Sequence, residues 1–214
     1  MRYKHLLFDL DGTITDPKIG ITKSVQYALN KFGIQEDDLD KLEPFIGPPL
    51  KNSFMEIYSF SEDQALQGVE YYREYFRERG MFENELYPEM QNVLKQLQDD
   101  GFTLYVATSK PKVFADEILK YFEVDHYFEW VVGSHLDGTL SDKTEIITYI
   151  LQNRNLVKSE VVMIGDRKHD MIGAKNNGID SIGAEYGYGS DGELLRENCT
   201  YYIKKIEDIL GIVY

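Results

Sequence analysis

Two carboxylates stand two residues apart at the end of an apolar run, in Phe8-Asp9-Leu10-Asp11-Gly12-Thr13. Open parallel sheets bind ligands at the carboxyl ends of their strands, and Gly12 lets the chain turn sharply behind the pair. Asp166 and Asp170 follow a second apolar run, in Gly165-Asp166-Arg167-Lys168-His169-Asp170. If the two strands are neighbours, three or four acids converge. Crowded, buried carboxylates repel one another unless protonated or neutralised, and a hard divalent cation is the usual remedy, which makes Mg2+ the expected ion. Mg2+ takes one or two protein carboxylates and completes its octahedron with water and phosphate oxygens, so the expected substrate is phosphorylated. The same acids could instead cap turns or helices; that accounts poorly for Asp9 and Asp11 together, but for Asp170 both uses stay open.

A third apolar run ends in Val106-Ala107-Thr108-Ser109-Lys110-Pro111. It offers a hydroxyl, amides ahead of a helix and a cation, all suited to an anion. The alternative is an ordinary N-cap, since Thr-Ser before a Pro-started helix has that form too. Lys143 opens a helical pattern after Ser141-Asp142 and reads either as a second cation for the site or as a surface lysine.

The elements that would position these residues are five short β-rich runs: Tyr3 to Phe8, Phe102 to Ala107, Trp130 to Gly133, Val161 to Gly165 and Ser181 to Ala184. Helical patterns separate the later ones, such as Val113, Ile118, Leu119, Phe122 and then Ile146, Ile147, Ile150, Leu151. Alternating strands and helices imply a parallel sheet of the α/β class. Roughly 90 residues separate the first two strands, where a crossover helix needs only about a dozen. The excess is helical in pattern, with Ile21, Val25, Ala28, Leu29, Phe32 and then Ala65, Leu66, Val69, Tyr72, Tyr75, Phe76 spaced by three and four. A helical insert is therefore expected over residues 14–85, leaving 1–13 and 86–214 as the sheet domain. The insert's aromatics, from Tyr58 to Phe82, read as core at this spacing, and Phe45-Ile46-Gly47-Pro48-Pro49-Leu50 as a break between helices. Leu136-Asp137-Gly138-Thr139 repeats part of the first motif without its preceding acid and reads as an Asp-Gly turn.

With 23 Lys and Arg against 37 Asp and Glu, the 214-residue chain carries −14, a field that repels phosphate backbones and anionic lipid. Neither nucleic acid nor a membrane is an expected partner. The basic start Arg2-Tyr3-Lys4-His5 is followed by an apolar run stopped at once by Asp9, so no signal peptide is expected. A single cysteine, Cys199, suits a reducing compartment, and the expected location is cytoplasmic.

In this order and spacing the motifs resemble those of the haloacid dehalogenase superfamily of phosphohydrolases. Asp9-Leu10-Asp11-Gly12-Thr13 looks like its first motif, Thr108-Ser109-Lys110 its second, Lys143 its third, and Gly165-Asp166 with Asp170 its fourth. Lys143 departs from the commonest form of the third motif, because Thr144 rather than proline follows it. The resemblance implies a Rossmann-like parallel sheet with helices on both faces plus an α-helical cap. It implies that Asp9 is the nucleophile forming an aspartyl phosphate, that Asp11 is the general acid and base, and that Thr108 and Lys143 hold the phosphoryl group. Mg2+ would sit on Asp9, the Asp11 carbonyl and Asp166, supported by Asp170, while Ser109 and Lys110 would help orient the phosphate.

Within the superfamily, Asp11 argues against dehalogenases, which lack a second aspartate, and against phosphonate hydrolases, which carry a small residue there. Thr15-Asp16, Ile46-Gly47-Pro48-Pro49-Leu50 and Gly187-Tyr188-Gly189 look like the phosphoglycolate phosphatase group and its nucleotidase-like relatives. The implied function is Mg2+-dependent hydrolysis of a small phosphorylated metabolite, phosphoglycolate or a 5′-nucleotide. A sugar phosphomutase is the enzymatic alternative, and a phosphate-binding regulatory protein without turnover is the other. Monomer and homodimer are equally compatible with the sequence.

Overall fold

The computed structural model describes residues 2–189 and 192–214; Met1, where the expected sheet domain begins, lies outside the described residues. Among the described residues there are eight strands: β1 (His5–Phe8), β2 (Thr15–Asp16), β3 (Glu85–Leu86), β4 (Thr103–Pro111), β5 (Phe128–Ser134), β6 (Val161–Gly165), β7 (Asp180–Ala184) and β8 (Tyr201–Ile203). Six make one sheet in the order β5-β4-β1-β6-β7-β8, while β2 and β3 make a small second one. Every pairing in the large sheet is parallel. All five apolar runs of the sequence lie in it, and β8 is an addition at its edge, only three residues long.

The sheet is parallel because its central strands are apolar on both sides. Leu6, Leu7 and Phe8 are all fully buried, and so is every residue of β6, a pattern that needs covering layers above and below. The helices α4 (Met90–Asp99), α5 (Lys112–Tyr121), α6 (Lys143–Asn153) and α7 (Lys168–Asn177) supply them. On one face Leu7, Tyr105, Ala107, Val161 and Met163 share a cluster with Ile146, Ile147 and Ile150 of α6 and Ala174 of α7. Leu6, Phe8, Leu104, Val106, Val162 and Ile164, of the opposite parity, are buried on the other. This is the expected Rossmann-like α/β arrangement.

The chain divides into two compact units, Pro17–Glu85 and the remainder, with Ile14, Thr15 and Asp16 belonging to the sheet unit. Ile14 is fully buried, and its carbonyl accepts a hydrogen bond from the Tyr87 amide at 3.2 Å. The Pro17–Glu85 unit contains α1 (Lys18–Lys31), α2 (Leu50–Tyr58) and α3 (Glu62–Tyr75). Ser61 and Gln64 cap the start of α3 reciprocally, Gln64 N–H donating to the Ser61 hydroxyl and Ser61 N–H to the Gln64 side chain. The break before Leu50 falls where Pro48 and Pro49 demand, with Gly47 at φ +102°. Of the aromatics expected in the core, Phe60, Tyr72 and Phe76 are buried, the Phe54 ring stacking on Phe60 at 5.6 Å and Tyr72 on Phe76 at 5.2 Å, while Tyr58, Tyr71 and Tyr75 are half-buried. Phe82 is exposed, at 42%. Asp137 closes an Asx turn by accepting from the Thr139 amide and hydroxyl, so the partial repeat is indeed a turn. No helix among the described residues is long and apolar enough to cross a membrane.

Leu7 sits at the centre of the sheet with no exposed surface. Leu7→Ala is expected to cost about 2–5 kcal/mol in urea denaturation. Leu66→Ala on α3, which is 49% exposed, is expected to change stability by less than about 0.5 kcal/mol.

Candidate active site

Parallel register puts the ends of β4, β1 and β6 side by side. Phe8 pairs with Val106 on one side and Ile164 on the other, so the residues just past these positions face one another across the same sheet edge. Asp9 follows Phe8, its amide donating to the Ile164 carbonyl at 2.9 Å; Thr108 ends the straight part of β4; Asp166 follows β6. Topology, rather than sequence proximity, collects these residues.

Four charged groups converge there. Lys143 Nζ lies 2.7 Å from Asp9 Oδ1 and 2.6 Å from Asp170 Oδ1, and donates to the Ala107 carbonyl at 2.9 Å. It is 4% exposed, which excludes the surface-lysine alternative. The Asp142 side chain fixes its position by capping α6, accepting from the amides of Thr144 and Glu145 at 2.8 and 3.3 Å. Carboxylate oxygens of Asp9, Asp166 and Asp170 all lie within 4.8 Å of one another, and all three residues are buried. Asp170 does cap a helix, its Oδ2 accepting the Arg167 amide at 3.1 Å at the start of α7, and its Oδ1 faces Lys143.

Asp166 makes no ion pair among the described residues, but two neutral donors hold it: Thr13 Oγ1 at 3.2 Å on one oxygen and the Tyr188 amide at 2.8 Å on the other. Gly12 makes room for it. At φ +83°, a Cβ on Gly12 would stand 2.2 Å from Asp166 Oδ2.

Asp11 has a different partner. Lys110 Nζ donates to Asp11 Oδ2 at 2.6 Å, with both side chains nearly buried, and Asp11 Oδ1 is buried without a hydrogen-bond partner. Lys110, which the resemblance places near the phosphate, is paired here with Asp11. The cause lies in β4, whose extended backbone runs on through Lys110 with a shifted register between Thr108 and Pro111, carrying the lysine back toward β1. The same extension removes the N-cap alternative for Thr108 and Ser109, since α5 starts at Lys112 behind Pro111. The Thr108 hydroxyl accepts the Lys110 amide at 3.2 Å, leaving its own proton to donate elsewhere. The Ser109 carbonyl accepts from the Ser134 hydroxyl at 2.9 Å. Sequence reasoning also gave no role to Thr13, Asp16 or Tyr186, although the late Gly-Tyr-Gly run marked the loop that holds Asp166.

The electrostatics follow from crowded buried acids, of which Asp9 and Asp170 share Lys143. Burial pushes the Asp170 carboxyl up to about 6, against the pull of Lys143. Burial, then the charges of Asp170 and Asp9, hold Asp166 well above the carboxylate range. Burial also raises Asp11, and Lys110 restrains it. Burial pulls the Lys143 ammonium down, but Asp170 and Asp9 together outweigh it and leave it above the usual lysine value. Buried acids with more negative than positive charge, plus oxygens set within a few ångströms of one another, suit a small, hard, oxygen-seeking cation.

The chain belongs to the haloacid dehalogenase-like hydrolase family, which it matches over residues 6–184, and it is a phosphatase of that family. It is 50% identical, over 94% of its length and 91% of the other chain's, to a 5′-nucleotidase of Pseudomonas aeruginosa. It is 27% identical, over 98% of its length and 96% of the other's, to a phosphoglycolate phosphatase of Vibrio parahaemolyticus. A crystal structure of a predicted phosphatase from Clostridium acetobutylicum superimposes with a TM-score of 0.96 at 48% identity, covering 100% of this chain and 99% of that one.

Each of the three raised carboxyls binds its proton more tightly folded than unfolded, where aspartate ionises near pH 4. Their contribution to stability is therefore complete below about pH 4 and is lost as pH rises through the folded values, for Asp170 through about 6. The urea midpoint of metal-free wild type, measured against that of Asp170→Asn, is expected to fall between about pH 4 and about pH 7. A relative midpoint that rose over this range would contradict the assignment.

Proposed function

We propose that the protein is a Mg2+-dependent phosphatase of small phosphomonoesters that works through an aspartyl phosphate on Asp9. The observation that carries this reading is the buried triad of Asp9, Asp166 and Asp170, of which only Asp9 and Asp170 are ion-paired among the described residues, both to Lys143. Such a site is short of positive charge until a cation binds, and a phosphoryl group can then share that cation. Asp9, the Asp11 carbonyl and Asp166 would hold Mg2+, with Asp170 in support, and the ion would neutralise charge on the phosphoryl oxygens.

Asp9 attacks phosphorus with its carboxylate, and the bond from phosphorus to the leaving oxygen breaks as the acyl phosphate forms. Lys143 holds Asp9 in place and offsets the repulsion between an anionic nucleophile and a dianionic substrate. Asp11 gives its proton to the leaving alkoxide, then takes one from the water that attacks phosphorus and frees Asp9. Its two oxygens suit this division: Oδ2 is tied to Lys110, while Oδ1 is left for the proton transfer. Burial favours the protonated form that the first step needs, and Lys110 favours the anion that the second needs. The Thr108 hydroxyl and the Ser109 region hold the phosphoryl oxygens at the neighbouring strand end.

The leaving group is selected elsewhere, and we assign that task to the Pro17–Glu85 unit acting as a cap. A 5′-nucleotide is the favoured substrate class on the strength of the 50% identical relative, with phosphoglycolate second. A cytoplasmic location and a freely diffusing small substrate belong to the same reading.

Phosphate release from a panel of 5′-nucleotides, phosphoglycolate and sugar phosphates tests it. One preferred ester is expected, with activity lost on chelation and free phosphate, rather than a rearranged sugar phosphate, as product. Asp9→Asn should fall to background, and Asp11→Asn should lower kcat by about 10²–10⁴-fold. Unchanged turnover in Asp9→Asn would overturn the mechanism.

A further inference from the structure

The loop after β7, residues 185–189, lies beyond the region matched to the family, yet it is moulded onto Asp166. A Cβ on Gly187 would stand 2.3 Å from Asp166 Cβ and 2.3 Å from the Gly12 carbonyl oxygen; one on Gly189 would stand 2.4 Å from the Asp166 carbonyl oxygen. Backbone this close admits no side chain at either position. The residue between them, Tyr188, does have one, and it reaches across to the first motif. Its amide donates to Asp166 Oδ2 at 2.8 Å, and its phenol donates to Asp16 Oδ1.

A second tie runs alongside. The Tyr186 phenol donates to the Thr13 carbonyl at 3.0 Å, and the Thr13 hydroxyl donates to the other Asp166 oxygen at 3.2 Å. The Tyr186 ring meets Tyr87 edge-on at 4.8 Å. The turn from Asp11 to Asp16 is itself closed by Gly12 N–H donating to the Thr15 carbonyl at 2.8 Å. Asp166 is thus gripped on both oxygens, once from the loop and once from the turn, and phenol hydroxyls lock the loop to the turn.

We infer that Tyr188 is a positioning residue for the cation site, acting through its paired hold on Asp166 and Asp16. Its amide sets the direction of an Asp166 oxygen, and the phenol-to-Asp16 bond fixes the amide relative to the segment that carries Asp9 and Asp11. Partners of this kind orient a ligating group and maintain its affinity without touching the metal. The inference rests on the reading that a divalent cation binds at Asp166, and it concerns a tyrosine and an aspartate to which the catalytic account gives no part.

Tyr188→Phe removes one oxygen while keeping the ring and the amide. Mn2+, which can be followed by its paramagnetic resonance without any substrate, is the probe. Wild type should bind Mn2+; Tyr188→Phe should bind it about tenfold more weakly. Its half-saturating Mg2+ for activity should rise in parallel, while kcat and KM at saturating Mg2+ stay near wild type. Asp16→Ala should reproduce the loss, whereas Asp16→Asn, whose amide oxygen can still accept from the phenol, should retain affinity. Equal Mn2+ affinity in wild type and Tyr188→Phe, even with a lowered melting temperature, would overturn the inference and reduce the loop to a structural brace. Failure of wild type to bind Mn2+, or unchanged binding in Asp166→Asn, would instead overturn the cation reading, and the inference with it.

Discussion

Lys143 stands between Asp9 and Asp170, with all three side chains buried. One ammonium reaches two buried carboxylates, and a third, Asp166, lies within the same few ångströms, held by a hydroxyl and an amide. A cluster of this kind is a poor way to stabilise a fold, because desolvating each ion costs as much as or more than the pairing returns. Its presence at the buried strand edge is intelligible if the unbalanced charge awaits a cation and a phosphoryl group. Deleting the lysine would leave Asp9 and Asp170 facing each other without their cation, the most damaging way to break such a set.

The remainder of the sheet unit is built to keep this cluster rigid. Parallel pairing delivers Asp9, Thr108 and Asp166 to one edge from strands that are distant in sequence, and apolar burial on both faces removes the freedom to slip in register. Helix capping then does the fine positioning: Asp142 sets the first residue of α6, which is Lys143, and Asp170 caps α7 with one oxygen while meeting Lys143 with the other. Local rules of helix initiation and the chemistry of the site are satisfied by the same atoms.

Much of this was legible in the sequence because the chemistry-bearing residues sit at the ends of apolar runs, where strand identity is plain. Asp9, Asp11, Asp166 and Asp170 needed only the assumption that their strands were neighbours. The helical unit was legible from spacing, and Phe60, Tyr72 and Phe76 packed as that spacing required, whereas Tyr58, Tyr71 and Tyr75 are half-buried and Phe82 is exposed. The pairing of Lys110 with Asp11 was not legible because it depends on a strand continuing four residues past the last apolar position and shifting register, which composition does not encode. Tyr188 and Asp16 are 172 residues apart, so their pairing could come only from the folded chain. The edge strand β8 escaped notice for want of length.

The account stands or falls on covalent chemistry at Asp9. Wild-type protein should be mixed with its preferred ester and Mg2+, quenched with borohydride, digested and sequenced by mass spectrometry, since hydride reduces an acyl phosphate to an alcohol and leaves a free carboxylate untouched. The predicted result is reduction at Asp9 alone, absent when Mg2+ is chelated. Reduction at Asp11 or Asp166 instead, or active turnover with Asp9 left unreduced, would contradict it.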